Sequence, residues 1–513
     1  MQIRSIAYLL FALLIWTNAT SAEEEPLSVI DWLKRNPDQP AMTSAILPKR
    51  FEPPVTPNAL VPTVTVRPLD EPARQIIGLV PSAVTGLPNN LWSGSTGEGI
   101  ARQFESLPDL KLPAAQALLY TLLLTESAGT SDGLQGDSAL TLARVDALSR
   151  LGATEPALAL LDQVGVAQDA AHFAAYTDLS LLTGQEDRAC AILTANPHLS
   201  PSLGHRIFCT ARQGDWPTAA LLFDTAQTLE DLPPAQSRAL ERFLHIEAFE
   251  DAPPLPRPST MTPLLFRLHE AVGEPLPTRA LPRAYAVADL RDLAGWKTQL
   301  EAAERLAATG ALPPNRLLGL YTARQPAASG GVWDRVRAIQ RFETALRTRS
   351  DEAIAKSLPP AWDAMSAVGL EIPFSDLFSQ PLTRYALTGK AGEIALKMAL
   401  LSPEYRRAAI LTDLDPVFAA IATGDTDGIT DTRPLTDAIL RGFDKNNARR
   451  DLMDLARNSR RGEATLRAVT LLDDGYAGDL NALTQALATL RALGQEDTVR
   501  RAALQILLLD RTI

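Results

Sequence analysis

The feature that most constrains this chain is an apolar pattern of helical period that runs from residue 113 to the C-terminus. Ala and Leu dominate the region, and Ala115, Leu118 and Leu122 illustrate how apolar residues fall on one side of a helix. Breaks that contain Gly or Pro interrupt the pattern, as at Gly152, whereas the alternation typical of strands is almost absent. The pattern predicts an all-α fold made of short antiparallel helices.

Three glycines begin a repeated motif within this helical region. Gly152, Gly184 and Gly214 lie 32 and 30 residues apart, and each is followed after five residues by Ala and after nine by a larger apolar residue. Glycine permits a tight turn, the small Ala lets two helices approach closely, and the residue one turn later fills the space between them. The residues that follow the glycines are Ala157 and Leu161, Ala189 and Leu193, and Ala219 and Phe223.

The third unit carries a resemblance to a known family. Its segment Gly214–Ala219 (GDWPTA), followed by Phe223, resembles the second helix of a tetratricopeptide repeat, a family with a period of about 34 residues that stacks helix pairs into a superhelix. Three units fall between about residues 139 and 229, with weaker echoes near 389–403 and 480–509. The period is shorter than in the family, and the first helices lack its usual Trp-Leu-Gly pattern. The resemblance implies a superhelical α-solenoid, with a generic helical array as the alternative.

The N-terminus has the three parts of a cleavable secretory signal peptide. Arg4 supplies a positive charge, Ile6–Trp16 is an apolar run too short to span a bilayer, and small residues lead up to Ala22. We predict cleavage between Ala22 and Glu23, with an uncleaved anchor as the alternative. Since no second long apolar run follows, we expect a periplasmic or secreted protein that does not span the membrane after cleavage.

Proline divides the rest of the chain. Nine prolines between Pro37 and Pro72 and eight between Pro253 and Pro282 disfavour regular helix in those stretches. The predicted domains are a signal peptide at 1–22, a Pro-rich extended segment at 23–112, an N-terminal helical-repeat domain at 113–250, a Pro-rich divider at 251–283 and a C-terminal helical array at 284–513.

The two cysteines of the chain fall on neighbouring predicted helices. Cys190 follows Gly184 on the second helix of one unit, and Cys209 precedes Gly214 on the first helix of the next. In an oxidising compartment this placement favours a disulfide bond. The alternative is a pair of buried thiols that fill gaps between helices.

Charge and the scarcity of chemistry-bearing motifs limit the predicted function. A formal net charge of −11 opposes nucleic-acid binding, and the five histidines show no metal-ligand spacing. We therefore expect no cofactor, no metal site and no catalytic residues. The expected function is a non-catalytic scaffold or adaptor for a protein of the cell envelope, with a secretion or motility apparatus among the candidates. The alternative is a peptidoglycan-related enzyme, or an enzyme accessory, whose site leaves no sequence motif.

The predicted partner-binding surface is the one that the first helices of the repeats share. In stacked helical repeats the binding residues are usually found on such a surface. Offsets from the three glycines place Asp146 and Arg150 there in the first unit, Asp178 in the second and Arg212 in the third. Charges alternate along this surface, which suits a peptide or protein ligand, although ordinary solvation explains them equally well.

Overall fold

The computed structural model describes residues 76–291, 293–411 and 414–509. The predicted signal peptide, with Ala22 and Glu23, and the proline cluster at 37–72 lie outside the described residues. Within them the regular structure is helical, and strand pairing is limited to isolated bridges that join Ile77 to Ser127 and Val80 to Thr125. The predicted all-α fold is therefore confirmed for this part of the chain.

The helices before residue 250 are α1 (Ser82–Thr85), α2 (Gly97–Glu105), α3 (Pro113–Leu124), α4 (Gly133–Leu151), α5 (Thr154–Val164), α6 (Ala170–Thr183), α7 (Glu186–Ala195), α8 (Leu203–Arg212), α9 (Trp216–Thr228) and α10 (Pro234–Leu244). Those between 251 and 401 are α11 (Pro263–Ala271), α12 (Ala286–Asp289), α13 (Trp296–Ala307), α14 (Pro314–Thr322), α15 (Val332–Thr348), α16 (Asp351–Ser366), α17 (Glu371–Leu382) and α18 (Gly389–Leu401). The remaining ones are α19 (Tyr405–Leu411), α20 (Pro416–Thr423), α21 (Pro434–Gly442), α22 (Arg450–Arg457), α23 (Arg461–Tyr476), α24 (Leu480–Ala492) and α25 (Glu496–Leu508). Single-turn 3₁₀ helices occupy Val166–Gln168, Pro197–Leu199, Ile246–Phe249, Thr278–Ala280, Arg283–Tyr285 and Lys445–Asn447.

The glycines of the repeated motif lie at helix ends. Gly152, Gly184 and Gly214 have φ values of 87°, 78° and 89°, a left-handed conformation that glycine adopts without strain. The Ala and larger apolar residues that follow each glycine are buried, and α4 packs on α5, α6 on α7, and α8 on α9. The motif thus produces closely packed helix pairs, while the solenoid arrangement and the tetratricopeptide assignment stay predictions.

Residues 76–112 differ from the extended segment predicted for 23–112. They include α1 and α2, and the Thr96 side chain caps α2 by accepting a hydrogen bond from the Gly99 N–H. Trp92 and Phe104 are fully buried in the main hydrophobic core. The prediction was wrong here because it extended the effect of the prolines at 37–72 into a region whose aromatic and aliphatic side chains can be buried.

Helices from the two ends of the described chain pack together, since α3 contacts both α23 and α25. One hydrophobic core includes buried residues of 87–189 and of 405–506, so the predicted domains 113–250 and 284–513 share it. A backbone hydrogen bond also joins the two ends, since the Gly462 N–H donates to the Leu91 carbonyl over 2.9 Å. A Cβ atom on residue 462 would lie 2.5 Å from the ring of Trp92, so Gly462 allows this close approach.

The Pro-rich region after α10 is folded against α4 and α6. Residues 261–291, which we call the covering segment, include α11 and α12 and contact α4 and α6. Buried Leu182 of α6 packs against Phe266, Ala284 and Tyr285 of this segment. Ion pairs add to the contact, because Arg267 lies 2.6 Å from the buried Glu186.

The packing of the two chain ends predicts unequal effects of two tryptophan substitutions. Trp92→Ala should lower the free energy of unfolding by about 3–5 kcal/mol, because it leaves a cavity in the shared core. Trp216→Ala should have a much smaller effect, because Trp216 is 44% exposed. Urea denaturation followed by circular dichroism measures both, and equal losses would contradict the packing described here.

The covering segment predicts a pH effect on stability. His269 of α11 is buried, and burial lowers its pKa, with Arg242 acting in the same direction and Glu274 opposing it. The unfolded chain therefore binds the proton more readily than the folded one, and this group reduces stability as the pH falls below about 6.5. Compared with the wild type, His269→Gln should flatten the dependence of the melting temperature on pH between about 5 and 7. His245→Gln, at an exposed site, is the control and should leave the slope unchanged.

Candidate functional site

Three of the four predicted surface residues line one pocket. Asp146 and Arg150 lie one turn apart on α4, and Asp178 lies on α6, which packs against α4. Together they border an open cavity of about 430 Å³, which we call the α4–α6 pocket. Helical spacing positions them, because residues four apart on α4 share a face.

The covering segment forms the opposite wall of the α4–α6 pocket. Pro263, Pro282, Ala284 and Tyr285 line it, and the Tyr285 hydroxyl donates to the Met261 carbonyl over 3.1 Å. The sequence did not predict these residues at the surface, because Pro263 and Pro282 fall in the predicted divider at 251–283, and Ala284 and Tyr285 begin the predicted C-terminal array. The apolar side chains of α11 were the available signal, since they indicate a helix that buries one face.

The charges at the pocket are unevenly paired. Arg150 Nε lies 3.1 Å from Asp146 Oδ2, and the Arg150 guanidinium also donates to the Phe104 carbonyl. Among the described residues, the nearest titratable partner of Asp178 is His205, whose Nε2 lies 3.9 Å from Asp178 Oδ1. Burial raises the pKa of Tyr285, and the Asp178 carboxylate raises it further. The two carboxylates and one guanidinium leave the pocket with an excess of negative charge.

Arg212 does not lie at the pocket. Its guanidinium is 2.6 Å from Asp187 and 3.4 Å from the buried Glu186, both on α7. The structure therefore places Arg212 in an ion-pair network between α7 and α8, outside the pocket, and its place on the predicted partner-binding surface stays a prediction. Motif offsets locate a residue on its helix, but they do not identify the carboxylate that binds its side chain.

The structure joins Cys190 and Cys209 by a disulfide bond between α7 and α8. Both residues are buried in a hydrophobic cluster together with Phe208 and Phe223. Hydrogen bonds reinforce the same contact, since Gln213 Nε2 donates to the Cys190 carbonyl over 3.1 Å. The bridge stabilises the helix pair next to the pocket and takes no part in lining it.

Two other cavities have a similar volume, and none of the predicted surface residues lines either of them. One, of about 370 Å³, contains Arg449 and Arg467, but these already bind the carboxylates of Asp451 and Glu463. Another, of about 360 Å³, lies between α17, α18 and α19 and has mostly apolar walls. Among the described residues, no group of three or more His, Cys, Asp or Glu side chains is arranged to hold a metal ion.

Comparison of the chain with protein-family models, curated proteins and solved structures finds no match in any of the three. In the part of the chain that the structure describes, no helix combines the length and the apolar character needed to cross a membrane. The function must therefore be argued from the pocket and from the sequence.

The disulfide bond predicts a loss of stability on its removal. Replacing both cysteines by Ser should lower the free energy of unfolding by about 3 kcal/mol, because the bridge closes a short loop and restricts the unfolded chain. Urea denaturation of the oxidised wild type, the reduced wild type and the double variant measures the effect. If the bridge forms, the mass of the unreduced protein should match that of the disulfide-bonded chain, which has no free thiols. Finding two alkylatable thiols under oxidising conditions would contradict it.

Proposed function

We propose that the protein is a periplasmic or secreted, non-catalytic scaffold or adaptor that binds a protein partner through the α4–α6 pocket. The observation that carries the proposal is the meeting of Asp146, Arg150 and Asp178 at one open pocket between two repeat helices. Apolar walls with a charged rim are the arrangement that protein interfaces use, since burial supplies affinity and charges supply specificity. A solenoid-like arrangement would suit this function, because its first helices present one continuous surface.

The proposed compartment is supported by two independent features. The sequence predicts a signal peptide with cleavage between Ala22 and Glu23. A disulfide bond between Cys190 and Cys209 is typical of proteins outside the reducing cytosol. The proposed partner is accordingly a protein of the cell envelope, with components of a secretion or motility apparatus among the candidates.

Crosslinking in intact cells followed by affinity purification of the full-length protein tests the proposal. A stoichiometric partner should be captured by the wild type and lost with Ala175→Trp, because an indole at this position fills the pocket. Ala220→Trp is the matched control, at a partly exposed position of α9 away from the pocket, and should retain the partner.

A second filling variant separates binding from misfolding. Ser149→Trp fills the same pocket from α4, and circular dichroism with a melting curve establishes that each variant is folded. If both filling variants capture as much partner as the wild type does, the interface lies elsewhere. Release of soluble fragments from cell-wall glycan by the purified protein would overturn the non-catalytic proposal in favour of the enzyme alternative.

A further inference from the structure

We propose that the α4–α6 pocket accepts one cationic side chain, a lysine or an arginine, presented by the protein partner, with Asp178 as its counter-ion. This inference rests on the proposed function, because it names the chemistry by which the partner would be recognised. It follows from the size of the pocket, the apolar character of its walls and the pairing of its charges.

The size of the pocket limits its occupant. Its volume of about 430 Å³ lies at the small end of the range for ligand sites. The covering segment closes the side opposite α4 and α6, where Pro282 and Tyr285 stand. The space therefore admits a side chain and its immediate backbone rather than an extended peptide that follows the repeat surface.

The walls suit the aliphatic stem of a long cationic side chain. Leu142 and Val145 of α4 and Leu179 and Leu182 of α6 line the interior. Lysine and arginine bury their methylene groups against such surfaces while the charged end remains at a polar rim. An acidic or short polar side chain would leave these walls uncovered.

The charge pairing selects a cation. Arg150 is neutralised by Asp146 and is drawn towards the Phe104 carbonyl, so it offers little to an incoming anion. Asp178 remains 49% exposed, and His205 Nε2 approaches it at 3.9 Å, beyond hydrogen-bond distance. The chain as a whole carries a formal charge of −11, which favours the approach of a basic partner.

Blocked tripeptides test the proposal on the full-length, oxidised protein. Acetyl-Gly-X-Gly-amide is titrated with X as Lys, Arg, norleucine or Glu, and binding is followed by saturation-transfer difference NMR. The Lys and Arg peptides should bind saturably. The norleucine peptide, which keeps the stem without the charge, and the Glu peptide should bind about tenfold more weakly or not at all.

A pair of isosteric variants assigns the charge to Asp178. Asp178→Asn should weaken binding of the Lys peptide by about tenfold and leave that of the norleucine peptide unchanged. Asp224→Asn removes an exposed carboxylate on α9, away from the pocket, and should change neither. Absence of saturable Lys binding, or an equal loss in the two variants, would overturn the proposal.

The outcomes also separate this inference from the proposed function. If the partner is lost with Ala175→Trp but retained with Asp178→Asn, the pocket is an interface, and the proposal that it binds a cationic side chain is refuted. If the Lys peptide binds in an Asp178-dependent manner while no partner is captured, the pocket chemistry stands and the adaptor function fails.

Discussion

The buried carboxylate of Glu463 holds the two ends of the described chain together. It accepts hydrogen bonds from Ser95 Oγ at 3.1 Å and Gln103 Nε2 at 2.9 Å, and it pairs with Arg460 and Arg467 on its own side. A carboxylate removed from water is tolerated only when its oxygens are fully bound, so the start of the packed chain and α23 must adopt their positions together. The shared core around Trp92 forms under this constraint.

Helix α4 connects the packed N-terminal end of the described chain to the α4–α6 pocket. This helix packs on α2, and its Arg150 donates to the Phe104 carbonyl. At the other side, buried Arg144 donates to the carbonyls of Ile77, Leu123 and Thr125. Burial lowers the pKa of this guanidinium to about 10, and the carbonyl end of α3 offsets part of the cost of burying a cation. The wall that carries Asp146 is therefore held from both sides.

Local patterns in the sequence were sufficient for some of these features and not for others. Gly152, Ala157 and Leu161 predicted a turn and a close helix pair, because these three residues lie within ten positions of one another in the chain. The bond between Arg267 and Glu186 spans 81 residues, and that between Ser95 and Glu463 spans 368. Carboxylates and guanidinium groups are numerous and chemically alike, so the sequence offers no means of choosing these partners, and the pairing of Arg212 with Asp187 was not predicted for that reason.

The covering segment changes what the repeat surface can do. An uncovered stack of helices presents a long surface, on which affinity grows with the number of partner residues that it contacts. Here Pro282 and Tyr285 line the α4–α6 pocket opposite Asp178, and the occupant proposed for the remaining space is a single side chain. In the proposed function, recognition would depend on one well-placed group, as in interfaces where a few anchors supply most of the binding energy. Such a site would discriminate partners by the chemistry of that group, and the rest of the interface would have only to exclude water around it.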